Sequence, residues 1–232
     1  MIHDILCDDT YHKIEAMNHD DISSSQQTIS LYWRCGCGKI QLELTTKPWL
    51  VTNCHCHSCV APSRYLDEKY TTQTQHVSAI SDGGAALAFF HPNDIKFATA
   101  TSKDDDEPLV FLSCLKVGED GKPVRKYCKS CGTLFGIVKS QLCAVNRISL
   151  YMDKEGTQRY KPQSTSITNT MKKYAFDPDK VPEPSYYMAP LSICLKFVNA
   201  YFNPFGQRAD EELLKKFEVD DSAATVVPIT WE

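Results

Sequence analysis

Three short cysteine motifs constrain this chain more than any other feature of its sequence. They are Cys35-Gly36-Cys37, Cys54-His55-Cys56-His57-Ser58-Cys59 and Cys128-Lys129-Ser130-Cys131. The remaining four of the 11 cysteines stand alone. The start of the chain lacks the apolar stretch of a secretory signal, so we expect a reducing compartment, where clustered thiols bind metal ions more often than they form disulfides. The fold is therefore expected to bring distant thiols together around metal ions.

The first and third motifs have the spacing of two halves of one closed site. In the C-x-C motif both thiols project to one face of extended backbone, and Gly36 lets the chain bend so that both sulfurs reach one ion at about 2.3 Å. The C-x-x-C motif is followed by Gly132 and resembles a zinc knuckle, in which a tight turn presents two thiolates. We predict a structural zinc site that joins two distant hairpins and stabilises the fold. Its ligands are Cys35, Cys37, Cys128 and Cys131.

The middle motif supplies three thiolates, whereas tetrahedral zinc takes four ligands. Three protein ligands and one open place are typical of catalytic zinc, and thiolate donors suit a soft sulfur ligand better than the acidification of water. Cys54, Cys56 and Cys59 are therefore predicted to hold a second zinc ion, whose open place recruits a substrate thiol. The alternative is a site closed by one further protein ligand. Its candidates are Cys114, His55, His57, His76 and His91.

The distribution of charge bears on partners and location. The whole chain has a net charge of −4, and residues 1–30 carry −5, from six acids and one lysine. No basic block or stripe is present, so we expect neither a nucleic-acid partner nor an anionic membrane surface. No window approaches the roughly 18 apolar residues that a membrane-spanning helix needs. A cytoplasmic location is expected.

Hydrophobic periodicity predicts a mainly β domain over residues 31–152. The stretch "KIQLELTT" alternates strictly, with Ile40, Leu42 and Leu44 on one face, as a half-buried strand does. Further strands are predicted in "WLVTN", "AALAFF", "IKFATA", "LVFLSCL", "TLFGIVK" and "RISLYM", with turns at "SDGG", "HPND" and "EDGKP". Residues 60–82 show no clear pattern.

The two ends of the chain differ from this domain. Residues 1–30 are a polar, acidic lead-in that is expected to be mobile in part. Residues 153–232 contain several prolines, then apolar residues at helical spacing, then a predicted short helix at 209–218. We expect a partly helical C-terminal extension whose apolar face packs on the β domain. That face comprises Leu191, Cys194, Leu195, Val198 and Phe202.

At its cysteine motifs the chain resembles the family of glutathione-dependent formaldehyde-activating enzymes (Gfa), which includes the domain of centromere protein V. The family pattern is C-x-C-G, then C-H-C-x-x-C, then R-x-[FY]-C-x-x-C-G. All seven clustered cysteines match it in order, and Arg125, Tyr127 and Gly132 complete the last motif. The resemblance covers about residues 31–152. After Cys59 the chain reads "VAPSRYLDEKY", where family members usually have basic residues and a glycine.

The resemblance implies a β-tent, in which zinc clamps antiparallel sheets, and two zinc ions per chain, one structural at the outer motifs and one catalytic at the middle motif. It also implies a carbon–sulfur lyase-type enzyme that acts on a thiol adduct of an aldehyde or similar electrophile, with glutathione or another small thiol as its partner. The alternative is a non-catalytic zinc-binding interaction module with two structural sites. B-type methionine sulfoxide reductases share the fold, but their two C-x-x-C pairs and separate redox cysteine fit these motifs poorly.

Overall fold

A computed structural model describes residues 30–97, 108–118, 124–139, 142–163, 167–195, 209–217 and 224–227. Within these ranges the protein is mainly β with few helices, as the sequence predicts. The strands are β1 (Leu31–Arg34), β2 (Gln41–Leu44), β3 (Leu50–Cys54), β4 (Ile80–Ser81), β5 (Gly84–Phe90), β6 (Ile95–Phe97), β7 (Leu112–Val117), β8 (Arg125–Cys128), β9 (Leu134–Lys139), β10 (Leu142–Asn146), β11 (Leu150–Tyr151), β12 (Ile167–Thr170) and β13 (Thr225–Val227). The α-helical segments are α1 (His57–Lys69), the C-terminal helix Glu211–Lys216 and residues 191–195.

The strands form two sheets. The small sheet has the order β11-β1-β2-β6 and the large sheet the order β12-β3-β5-β10-β9-β8-β7-β13, with β4 paired to β5. Neighbouring strands are antiparallel except at the two ends of the large sheet, where β12 runs parallel to β3 and β13 runs parallel to β7. Both parallel strands come from the chain beyond residue 152, so this part of the sequence completes the sheet at both ends.

The main core lies where the inner faces of the two sheets meet. The predicted alternation in β2 is confirmed, because Ile40, Leu42 and Leu44 are all buried. Trp33 of β1 meets Phe135 of β9 edge to face, with ring centroids 4.9 Å apart. Phe217, which follows the C-terminal helix, stacks on Phe135 at 5.6 Å. Aromatic contacts of this kind add to the free energy gained from buried area, so the helix is anchored to the core by one ring.

Helix α1 occupies part of the stretch that the sequence pattern leaves unassigned. Its buried face carries Val60, Ala61 and Leu66. Pro62 lies inside the helix, where it lacks the N–H that would donate to the carbonyl of Ser58. Tertiary packing of the apolar face therefore outweighs one missing helical hydrogen bond.

The C-terminal extension is partly helical, but the prediction of its buried apolar face is wrong for the described residues. Leu191 and Leu195 are 73% and 57% exposed, and Cys194 is also exposed. Ile193 is the residue of this helical segment that is buried. The predicted helix at 209–218 is confirmed as Glu211–Lys216, with Asp210 accepting a hydrogen bond from the backbone of Glu212 at its start.

Several predictions fall outside the described residues, namely most of the lead-in 1–30, the hairpin turn 119–123, and Val198 and Phe202. The boundaries 1–30, 31–152 and 153–232 remain predictions. Among the described helices, none has the length and apolar character needed to cross a bilayer.

Candidate metal centres

Four cysteines from two distant turns come together beside the main core. Cys35 and Cys37 lie in the turn between β1 and β2, whereas Cys128 ends β8 and Cys131 lies in the turn between β8 and β9. The Sγ atoms of Cys35 and Cys37 are 3.5 Å apart, and those of Cys37 and Cys128 are 3.7 Å apart. All four sulfurs lie within 4.8 Å of one another. Tetrahedral coordination with metal–sulfur bonds of about 2.3 Å separates the sulfurs by about 3.8 Å, so this four-cysteine cluster could hold a metal ion.

The backbone around this cluster explains why glycine follows Cys131. Gly132 has a φ of +71°, which side chains with a Cβ rarely adopt, and its N–H donates to the carbonyl of Cys128 at 2.7 Å. A Cβ at Gly132 would lie 2.3 Å from the ring of Tyr70. The knuckle is therefore both tightly turned and closely covered by the residue that follows α1. Burial is nearly complete for Cys35, Cys128 and Cys131.

The second group, called here the three-cysteine cluster, lies at the junction of β3 and α1. Cys54 is the last residue of β3, Cys56 is the N-cap of α1 and Cys59 lies in the first turn of that helix. The Sγ atoms of Cys54 and Cys56 are 3.4 Å apart, and all three sulfurs lie within 4.8 Å of one another. The positive end of the helix dipole favours thiolates at this position. The spacing again fits one metal ion.

Before an ion binds, the three thiols hold their protons unequally. Hydrogen bonds with the Cys54 and Cys59 thiols lower the pKa of Cys56 to about 2. Hydrogen bonds with the Cys56 and Cys59 thiols, together with burial, raise the pKa of Cys54. The bond with Cys54 lowers the pKa of Cys59, but the Cys56 sulfur and burial outweigh it and raise that pKa to about 11. Near pH 7 the cluster therefore holds one thiolate, and an incoming metal ion must displace about two protons.

No fourth His, Cys, Asp or Glu of the described residues offers a ligand atom within 4.8 Å of all three sulfurs. Cys114, one predicted candidate, accepts a hydrogen bond from Nζ of Lys126 at 3.1 Å instead. The ring of His57 stacks on Phe176 with centroids 4.0 Å apart. These two side chains have partners away from the cluster.

The other three histidines also have partners of their own. His55 is buried, with Nε2 3.4 Å from Oδ1 of Asn169. Burial lowers the pKa of His55, although Asn169 acts in the opposite direction, so its imidazole is neutral near pH 7. His76 bonds to the carbonyl of Cys131 at 3.0 Å and to Asp67 at 2.7 Å. His91 caps a 3₁₀ turn by accepting from the backbone of Asn93 at 3.2 Å.

The C-terminal extension borders the three-cysteine cluster directly. Thr170 of β12 is paired with Cys54 of β3, and its carbonyl accepts the N–H of His55 at 3.1 Å. Met171 and Ala189 pack against the apolar group that contains the three cysteines, together with the buried Ile193. The sequence does not predict this wall, because a pairing between segments more than 110 residues apart leaves no local signal.

Arg125 connects the third motif to the other cluster. Its side chain is 4% exposed at the start of β8, and its positive charge favours the thiolate of Cys59. Cys128 and Cys131 of the same motif belong to the four-cysteine cluster. Strand β8 therefore carries residues that act on both clusters. Helix α1 makes a second connection, because it begins at Cys56 and the residue after its end, Tyr70, donates its hydroxyl to the carbonyl of Lys129 at 3.1 Å.

One of the comparisons with known proteins finds a match. No curated protein and no solved structure matches the chain. The family model described as glutathione-dependent formaldehyde-activating enzyme matches residues 30–87, which include five of the seven clustered cysteines. This match confirms the resemblance to the glutathione-dependent formaldehyde-activating enzymes that the cysteine motifs predict.

Proposed function

We propose that this protein is a zinc-dependent enzyme of the carbon–sulfur lyase type, acting on the adduct of a small thiol with an aldehyde or similar electrophile. One observation carries the proposal. Three sulfurs converge at the start of α1, and no further protein ligand among the described residues joins them. This arrangement is typical of a metal that keeps one place for substrate. The family match over residues 30–87 supports thiol and aldehyde chemistry.

Zinc is the metal we propose for both clusters. Soft thiolate donors select Zn²⁺ over Mg²⁺ or Ca²⁺, and the sulfur spacings fit tetrahedral coordination. Cys35, Cys37, Cys128 and Cys131 would form the structural site that clamps the two sheets as in a β-tent. Cys54, Cys56 and Cys59 would hold the second ion, which supplies a position for a substrate sulfur next to the electrophile.

The reaction can be written for a hydroxymethyl adduct of a thiol. In the direction of breakdown the adduct hydroxyl gives its proton to water, a carbonyl forms, and the carbon–sulfur bond breaks with its electron pair remaining on sulfur. The protein's own contribution is electrostatic and steric. Arg125 offsets part of the thiolate charge next to Cys59, and the apolar residues of β5, Ala85 and Leu87, exclude water from one side of the cluster.

The test measures exchange between formaldehyde, glutathione and their adduct by two-dimensional NMR on the zinc-loaded full chain. We expect the wild-type chain to accelerate exchange and Cys56→Ser to abolish the acceleration, because the second ion loses a ligand. Cys194→Ser is the matched control, since Cys194 is exposed and outside both clusters.

A second measurement addresses the alternative of a non-catalytic module. In cobalt-substituted protein a substrate thiol that enters the coordination shell changes the visible absorption spectrum. An unchanged spectrum together with unaccelerated exchange would leave two closed structural sites and contradict the enzyme assignment.

A further inference from the structure

A cavity of about 760 Å³ lies at the start of β3, at the opposite end of this strand from Cys54. Leu50, which lines the cavity, is separated from Cys54 by about 13 Å of extended backbone. None of the seven clustered cysteines is among the described residues of the lining. The volume falls in the range of roughly 300–1,000 Å³ that is typical of sites for small molecules. The cavity is therefore a candidate ligand site apart from both metal centres.

Three aromatic side chains line the cavity, and the fold holds each of them through its backbone. Trp49 directly precedes β3, Tyr160 lies after β11, and Tyr186 lies after β12. The backbone N–H of Trp49 donates to a carbonyl of β5 at 3.0 Å, that of Tyr160 to β11 at 2.8 Å, and that of Tyr186 to β12 at 2.9 Å. The Trp49 ring also packs on Phe89, with centroids 5.5 Å apart. A site that is formed before its ligand arrives loses little conformational entropy on binding.

The cavity leaves apolar surface in contact with water. Tyr186 and Met152, which both line it, are 47% and 40% exposed. Large apolar side chains that stay exposed around a concave site are typical of a place where a ligand binds. Aromatic rings favour a flat partner, which stacks on one ring or meets its edge. The lining therefore favours a ligand with an aromatic body.

The charges around the cavity are positive. Lys47 and Lys161 line it, and no Asp or Glu is among the described lining residues. Neither ammonium group has an ion pair or a hydrogen bond with a described residue. The whole chain carries a net charge of −4, so this excess of two positive charges is local.

A phosphate monoester is the anion that matches this pair of charges. Its phosphate carries about −1.5 to −2 charges at pH 7. A lysine ammonium is a compact point charge that serves as a phosphate binder, whereas the planar fork of an arginine is the better partner for a carboxylate. No arginine is among the described lining residues. The charged groups of the lining therefore favour a phosphate over a carboxylate.

We propose that this cavity binds a small phosphate monoester with an aromatic body, whose ring contacts the three aromatic side chains while its phosphate pairs with Lys47 and Lys161. The site does not depend on the thiol chemistry proposed above, because no clustered cysteine lines it. Tyr160, Lys161 and Tyr186 lie outside residues 30–87, so the family match does not imply this site.

The test uses matched ligands on the zinc-loaded full chain. Binding of 1-naphthyl phosphate, 1-naphthol and inorganic phosphate is measured by isothermal titration calorimetry. For the wild-type chain we expect the ester to bind about tenfold more tightly than either fragment, or better. Replacing Lys47 and Lys161 together by Gln should remove the preference over naphthol and leave binding of naphthol unchanged. Lys154→Gln, which removes an exposed lysine outside the lining, should have no effect.

The aromatic contact is tested by Tyr186→Ala, which should weaken binding of the ester and of naphthol by similar factors. AMP and O-phosphotyrosine, titrated in the same way, distinguish a nucleotide from a phosphorylated side chain, and lysine-dependent binding of either supports the site. Equal binding of ester and naphthol by the wild-type chain overturns the site, as does a preference that survives loss of both lysines. Inorganic phosphate that binds as tightly as the ester would reduce the site to surface charge and overturn it as well.

Cys56→Ser separates this inference from the proposed function. The variant loses a ligand of the second ion, so thiol exchange should fail, but 1-naphthyl phosphate should bind as tightly as to the wild-type chain. Loss of that binding would place the phosphate on the metal ion and overturn the cavity as its site.

Discussion

The two cysteine clusters use one kind of side chain but differ in how the fold holds them. The four-cysteine cluster draws its sulfurs from two turns whose members are 91 residues apart in sequence, and three of its four thiols are almost completely buried. The three-cysteine cluster comes from six consecutive residues, and two of its thiols are partly exposed. A ligand set assembled from distant segments couples metal binding to folding, whereas a local set can lose its ion while the rest of the fold remains.

The strongest way to test this contrast is Cys128→Ser. Structural zinc sites contribute an apparent free energy of about 10–16 kcal/mol, which is comparable to the stability of a whole domain. We therefore expect loss of cooperative thermal unfolding, measured by circular dichroism, and loss of metal measured by mass spectrometry. Cys194→Ser should unfold like the wild type. Retention of a cooperative transition in Cys128→Ser would show that the sheets do not need this ion.

Cys56→Ser, in contrast to Cys128→Ser, should lose a metal ion and keep its fold. We expect the metal content to fall from two ions per chain to one, while the midpoint of thermal unfolding drops by less than about 5 °C, because all three ligands of the second ion lie within six consecutive residues. Metal counting and calorimetry on the same sample provide both values. An equally severe loss of fold in both variants would remove the distinction between the clusters.

The pH dependence of metal affinity should sharpen the comparison further. The pKa of Cys59 is raised to about 11 and the pKa of Cys54 is also raised, whereas the pKa of Cys56 is lowered to about 2. Two thiols must therefore lose protons for an ion to bind, and affinity should rise with pH by about 100-fold per unit between pH 6 and 8. Calorimetry in buffers of different ionisation enthalpy should detect release of about two protons at the three-cysteine cluster. Release of fewer than one would contradict the assigned thiol states.

Gly132→Ala should destabilise the fold without removing a ligand from either cluster. The positive φ of Gly132 costs about 1–2 kcal/mol for an alanine, and overlap with the ring of Tyr70 adds about 1–3 kcal/mol. Gly83→Ala is a matched control, because Gly83 has a φ of +78° but no atom within 4 Å of the added Cβ. Chemical denaturation should show the larger loss of stability for Gly132→Ala. Equal losses would mean that strain alone, and not the close contact with Tyr70, makes glycine necessary.

Much of this arrangement follows from local sequence rules. The alternation of Ile40, Leu42 and Leu44 predicts the buried face of β2, and the spacing within each motif predicts which of its own thiols meet. Both rest on short-range geometry, in which the period of a strand or the reach of a turn determines where a side chain lies.

Other features depend on contacts that a local pattern does not encode. Pro62 and the polar surface residues of α1 weaken the sequence pattern that would predict this helix. The helix forms because its inner face packs on the sheet. In the extension Ile193 is buried, whereas helical spacing predicts that Leu191 and Leu195 are buried. Pairing of β12 with β3 is decided by two segments that are distant in sequence, so neither segment alone predicts it.

The parallel strands at the ends of the large sheet have a consequence for shortened forms of the protein. Where β12 and β13 pair with β3 and β7, they occupy backbone groups that would otherwise lie unpaired at a sheet edge. Exposed edges of this kind are templates for strand exchange and aggregation between molecules. A chain truncated after residue 152 would present two such edges, one of them ending at Cys54 of the three-cysteine cluster. We therefore expect a chain that keeps β12 and β13 to aggregate less than one truncated after residue 152.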